Sequence, residues 1–172
     1  GRDLAGELVA ATLAAGELLV PAQIGASTLK VARELPDHIE IVALAANESI
    51  EKLAAQARET GVRHVAVHDA GKEAALRALL PENVVIHTGA QGLVELATLA
   101  EADIVLVAIV GTAGLHPALA AIEAGKDLAI ASKEILVMAG EVITRAASRK
   151  GVTLLPVDSE HNAIFQCLDG RR

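Results

Sequence analysis

Ile104-Val105-Leu106-Val107-Ala108-Ile109-Val110 is apolar at every position. A strand with one wet face alternates apolar and polar side chains, whereas a strand apolar throughout is covered on both faces, as in a parallel sheet sandwiched between helices. The run is also far shorter than the ~20 residues a membrane helix needs. Outward from it, β-branched runs at Ile39 to Leu44, His64 to Val67, Val84 to His87, Asp127 to Ile130 and Thr153 to Val157 predict further strands. Segments of helical period alternate with them, at Ser27 to Glu34, Ile50 to Thr60, Lys72 to Leu80, Gly89 to Leu99, His116 to Ala124, Lys133 to Arg149 and His161 to Leu168. Strand and helix in alternation predict an α/β fold, a doubly wound, mainly parallel sheet with helices on both faces.

The punctuation agrees with this order. Thr88 followed by Gln91 fits a capping box, Gly61, Gly125 and Gly151 sit where helices should stop, and Pro36 and Pro81 follow helices that cannot pass through them. Residues 1–23 depart from the pattern. Asp3 to Ala15 is rich in Ala and Leu and predicts a helix, with a strand at Glu17 to Val20 leading into Pro21. The expected organisation is therefore an atypical N-terminal segment, 1–23, and one α/β domain over 24–172.

Composition narrows the function classes. With 172 residues, 52% of them hydrophobic, but one Phe and no Tyr or Trp, the core must be built from Ala, Val, Leu and Ile. The net charge of −7, with no basic cluster, argues against nucleic acid or an anionic membrane as partner. The single cysteine, Cys167, permits no internal disulfide and lacks an adjacent base, so a buried, inert thiol in a reducing cytoplasm is expected.

The chemistry concentrates in Leu155-Pro156-Val157-Asp158-Ser159-Glu160-His161-Asn162-Ala163-Ile164-Phe165-Gln166. A strand ending at Val157 delivers Asp158, Ser159 and Glu160 to its carboxyl end, where open α/β sheets bind ligands. Two carboxylates one residue apart can hold a hard cation such as Mg²⁺ or Mn²⁺. Equally, Asp158 or Ser159 can cap the following helix while Glu160 complements its dipole. Lys133 opens a helix, where the dipole disfavours a cation, so it is either a counter-charge for an anionic substrate or a solvated lysine. Gly111-Thr112-Ala113-Gly114 would let backbone approach a flat ring, or simply make the turn from strand to helix. Asn47 and Ser49 follow the second strand and offer hydrogen bonds to a ligand or a cap to the helix at Ile50. His161 is expected as a neutral ring satisfied by backbone, and His38, His64, His68, His87 and His116 show no metal-binding spacing.

The run Pro156 to Gln166 resembles the signature of the 1-deoxy-D-xylulose 5-phosphate reductoisomerase family, and Ala108 to Leu115 and Ala131 to Glu134 resemble two further segments of it. The resemblance spans roughly residues 24 to 170 and implies a Rossmann-like domain that binds NADPH and Mg²⁺ or Mn²⁺. It implies an enzyme that converts 1-deoxy-D-xylulose 5-phosphate, a small phosphorylated sugar, to 2-C-methyl-D-erythritol 4-phosphate. Carried over residue by residue, it assigns the metal to Asp158 and Glu160, and substrate contact to Lys133, Ser159 and Glu160. Lys133, Asp158 and Glu160 would be catalytic. The cofactor would lie against Gln23, Ile24, Gly25, Asn47, Glu48, Ser49, Ser132 and Glu134. A homo-oligomer is expected.

The sequence also departs from the family. Of its Gly-x-x-Gly-x-x-Gly loop only Gly25 remains, Leu19 and Ala22 standing at the other two positions, and Pro21 removes an N–H donor there. Ser132 stands where the family usually has Asn, and Ile135 where it has Ser. Family members are considerably longer, carrying a further carboxylate ligand, phosphate-binding residues, a flap and a helical domain, so these 172 residues alone are expected to be inactive. The altered loop leaves a rival reading, a non-catalytic Rossmann-like nucleotide-binding or oligomerisation module.

Overall fold

The computed structural model describes residues 8–9, 13–14, 21–109 and 111–168. Its elements run β1 (Leu8–Val9), β2 (Leu13–Ala14), α1 (Pro21–Glu34), β3 (Ala43–Ala46), α2 (Ile50–Thr60), β4 (His64–Val67), α3 (Glu73–Leu79), β5 (Val85–Thr88), α4 (Gly89–Ala97), β6 (Ile104–Val107), α5 (Leu115–Glu123), β7 (Asp127–Ile130), α6 (Lys133–Lys150), β8 (Leu154–Pro156) and α7 (Ser159–Leu168). Short 3-10 turns lie at Ala70–Lys72 and Gly111–Gly114.

Among the described residues every strand pairing is parallel. The strands form two four-stranded halves, one of order β2-β3-β4-β5 and the other β1-β6-β7-β8. β1 and β2 follow closely in sequence and feed opposite halves, so the winding of the chain reverses between them, as in doubly wound folds. Side-chain alternation explains why the strands are apolar throughout. Leu44, Ala46, Val65 and Val67 pack with Leu29, Leu53 and Leu76 of α1, α2 and α3. Ala43, Ala45 and Ala66 pack on the other face with Leu93 and Leu96 of α4, Ile122 of α5 and Ile143 of α6. That second cluster also takes in Val105, Val107, Leu128 and Ile130, so the two halves share one core.

Several expectations need correction. The helix expected over Asp3 to Ala15 is overturned, since β1 and β2 fall inside it and pair with β6 and β3. Pairing to buried neighbours outweighs the helical preference of Ala and Leu. The strand expected at Glu17 to Val20 lies outside the described residues, as does Val110. The strand placed at Ile39 to Leu44 is instead Ala43–Ala46. Its partner β4 begins at His64, opposite Ala43, so the ladder with β4 starts there, and alanines of low strand propensity are used because helices must pack closely on both faces. Helix α1 begins at Pro21 rather than Ser27; a proline at the first helical position gives up an N–H that would be unpaired there. Thr88 stands at the N-cap of α4 without a side-chain capping bond, so the capping box is not formed. Cys167 is exposed on α7 instead of buried.

Gly61 and Gly151 close α2 and α6 in the left-handed conformation, at φ of 72° and 68°. Nothing lies within 4 Å of the position a Cβ would take on Gly151, so replacing it costs conformational energy alone. Gly151→Ala is expected to lower stability by about 1 kcal/mol, read as a shift in urea midpoint at unchanged slope.

Candidate active site

The carboxyl ends of the parallel strands make one mouth. Ile130 of β7 and Pro156 of β8 are in register, and the Val157 N–H donates to the Ile130 carbonyl at 2.9 Å. The segments leaving these strands, Ala131 to Lys133 and Val157 to Glu160, therefore emerge side by side. Lys133 is the first residue of α6 and is exposed. Ser159 and Glu160 are the first two residues of α7.

Asp158 caps α7 from just outside it. Its Oδ1 accepts the backbone N–H of His161 at 2.9 Å, satisfying one of the unpaired donors of the first turn. The His161 ring also meets this carboxylate, Nδ1 lying 2.7 Å from Oδ1 and 2.8 Å from Oδ2. The His161 ring is thus partnered by a side chain, where a backbone partner was expected. A carboxylate facing Nδ1 holds the ring proton there and leaves Nε2 as the acceptor of the neutral ring. Asp158 is only 12% exposed and His161 50%, so the imidazole covers the acid from the solvent side. An aspartate offering hard oxygens at the carboxyl end of a strand suits Mg²⁺ or Mn²⁺. Among the described residues no three His, Cys, Asp or Glu side chains converge as a metal cluster.

Ser132, just ahead of α6, is 4% exposed, and its hydroxyl donates to Glu134 at 3.0 Å instead of capping the helix. The pair is preorganised beside Lys133. Gly114 serves packing. A Cβ on it would lie 2.7 Å from Ile135 Cδ1 and 2.9 Å from Val107 Cγ1, so glycine lets the first turn of α6 close over the end of β6.

At the other half of the mouth, Asn47, Glu48 and Ser49 link β3 to α2. Ser49 occupies the N-cap without a side-chain capping bond, so the plainer role suggested for its hydroxyl is not realised. The Asn47 carbonyl accepts from the Asp69 N–H at 3.1 Å, tying this turn to the end of β4. Gln23, Ile24 and Gly25 lie in the first turns of α1 rather than in a loop before it. The amino terminus of a helix this long is a favourable place for phosphate.

One polar cluster was not foreseen. His64 Nδ1 lies 3.2 Å from His87 Nε2, and His87 Nδ1 2.9 Å from Glu95 Oε2. Residues 23 and 8 apart carry no spacing signal; only the parallel register of β4 and β5 and the return of α4 bring them together. A cavity of about 720 Å³ opens at the opposite, amino-terminal end of the strands, with His64, Arg63, Arg33, Glu59 and Glu101 in its wall. No described helix is long and apolar enough to cross a membrane.

The fold matches known proteins. Residues 22–140 match the family model of 1-deoxy-D-xylulose 5-phosphate reductoisomerase. The reductoisomerase of Geobacillus sp. (strain WCH70) is 46% identical over 149 residues, 87% of this chain and 39% of that protein. The solved structure of the Zymomonas mobilis enzyme in complex with NADPH superposes with a TM-score of 0.81 at 40% identity, over 94% of this chain and 40% of that one. A reductoisomerase structure in complex with magnesium gives 0.80 at 38% identity, over 94% and 38%. The chain thus spans about two-fifths of the length of these relatives. With the family model covering well over half of its residues, and a parallel sheet that superposes on solved members, the chain belongs to the 1-deoxy-D-xylulose 5-phosphate reductoisomerase family.

Proposed function

We propose that the chain supplies the cofactor- and metal-binding end of an enzyme that isomerises 1-deoxy-D-xylulose 5-phosphate and reduces the product with NADPH to 2-C-methyl-D-erythritol 4-phosphate. The observation that carries this reading is the emergence of Lys133 and Asp158 from adjacent parallel strands at one mouth, in a chain of this family. Solved relatives hold NADPH in one case and magnesium in another.

Asp158 and Glu160 would hold Mg²⁺ or Mn²⁺, which when bound supplies a Lewis acid to polarise the ketone and neighbouring hydroxyl of the substrate. Lys133 places a positive charge beside the acids to orient the anionic substrate, and Ser159 adds a hydroxyl. His161, held by Asp158, fixes that carboxylate in place. The N-terminal turn of α1 with Gln23, Ile24 and Gly25 would receive the pyrophosphate, Asn47, Glu48 and Ser49 the adenosine end, and Ser132 and Glu134 the nicotinamide end. A cytoplasmic homo-oligomer with residues 24–172 as its nucleotide-binding domain completes the proposal, and the 172 residues alone are expected to show no turnover.

Capping and metal binding can be separated at Asp158. Asparagine caps a helix as well as aspartate, whereas alanine gives up about 1 kcal/mol. Asp158→Asn is therefore expected to keep the melting temperature while Mn²⁺ affinity, read by calorimetry, falls on the order of tenfold or more. Full Mn²⁺ affinity in Asp158→Asn would remove the metal site, and a failure of NADPH to bind the wild-type chain would remove the cofactor reading.

A further inference from the structure

The row Glu95, His87, His64 lies outside the proposed active site and joins three elements, α4, β5 and β4. The two ring centroids are 5.5 Å apart with the planes inclined by 32°, the disposition of imidazoles bonded end to end. Gly92 allows this approach, since it seats α4 directly on the backbone of His87.

Counting protons shows what the row can do. With both rings neutral, Glu95 accepts the hydrogen bond of His87 Nδ1–H, so His87 Nε2 is an acceptor and His64 donates from Nδ1. Add one proton to His87 and both bonds survive: Nδ1–H still faces Glu95, while Nε2–H now donates to a His64 whose own proton has moved to Nε2. Add a second and two N–H groups, both on cations, face each other across 3.2 Å. We propose that His64 and His87 form a proton-operated latch between β4 and β5, anchored to α4 by Glu95, which holds with no added proton or one and is lost with two.

The surroundings oppose a proton on His64. Glu95 faces His87 from α4, and its hydrogen bond to that ring holds the carboxyl below its ordinary range. Burial, then His87, hold His64 below the usual histidine value; Glu101, ahead of β6, pulls the other way and Arg63, ahead of β4, adds to the lowering. Glu40 and the Arg33–Glu59 pair line the cavity that His64 borders. The unfolded chain takes a proton on this residue near pH ~6.5, and the folded chain resists it. Below that pH the unfolded state binds more protons, so stability is complete above it and declines as the pH falls toward the lower folded value. For one proton the folding constant loses up to about tenfold per pH unit.

His64→Asn keeps a donor nitrogen at the Nδ1 position but cannot titrate. Urea denaturation between about pH 7 and 5 is expected to show a shallower acid loss in His64→Asn than in the wild type, and equal slopes would overturn the latch. If His64→Asn does not fold, ¹⁵N NMR of the wild-type rings decides. The His64 ring should take its proton below the ordinary histidine value; titration at that ordinary value would overturn it.

Discussion

Gly92→Val is expected to cost about 3 kcal/mol of stability, and Gly92→Ala roughly half as much, against the total of about 5–15 kcal/mol typical of such proteins. A Cβ on Gly92 would lie 2.7 Å from the carbonyl carbon of His87, 3.0 Å from its Cβ and 3.3 Å from its Cα. Backbone in a paired strand cannot step aside as a side-chain tip can, so α4 must lift from β5. Alanine recovers up to about 1 kcal/mol of helix propensity, which offsets part of the strain; valine recovers less and adds two methyl groups to the same contact. Chemical denaturation measures both. A Gly92→Ala variant as stable as the wild type would mean that α4 does not rest on the His87 backbone. Lifting α4 also parts Glu95 from His87, so the same variants should lose the carboxylate's hold on that ring.

The layout of the fold was legible because its signals are local. Val65 and Val67 face one core and Ala66 the other, so the strand had to be apolar throughout, and a helix follows each of β3 to β8. Errors arose where a distant partner decides. Leu8–Val9 and Leu13–Ala14 are strands because β6 and β3 lie beside them, and Ala43–Ala46 is a strand because β4 begins at His64. Asp158 was legible as a cap and as a metal ligand together, since one residue ahead of a helix and behind a strand qualifies for both. Its ring partner His161 was placed with the backbone instead, because a three-residue spacing admits either partner. The His64–His87 contact exists only once β4 and β5 are in register, and periodicity in one strand carries no information about its neighbour's register.

Ile122→Ala is expected to cost about 4 kcal/mol, in the upper part of the 2–5 kcal/mol range for such truncations, whereas Ile122→Val should cost only about 1. Ile122 has no exposed surface and sits in the cluster that takes in strands of both four-stranded halves. How far a cavity closes after truncation depends on whether neighbours can swing into it. Much of that cluster is alanine, including Ala43, Ala45, Ala66, Ala97, Ala102 and Ala118, whose only side-chain atom is fixed by the backbone. A core chosen for close helix-on-sheet packing therefore cannot repack, and the cavity should persist nearly whole. Midpoints from urea denaturation at unchanged slope test this directly. A loss below about 2 kcal/mol would show that the alanine-lined core collapses after all, at variance with rigid packing in that cluster.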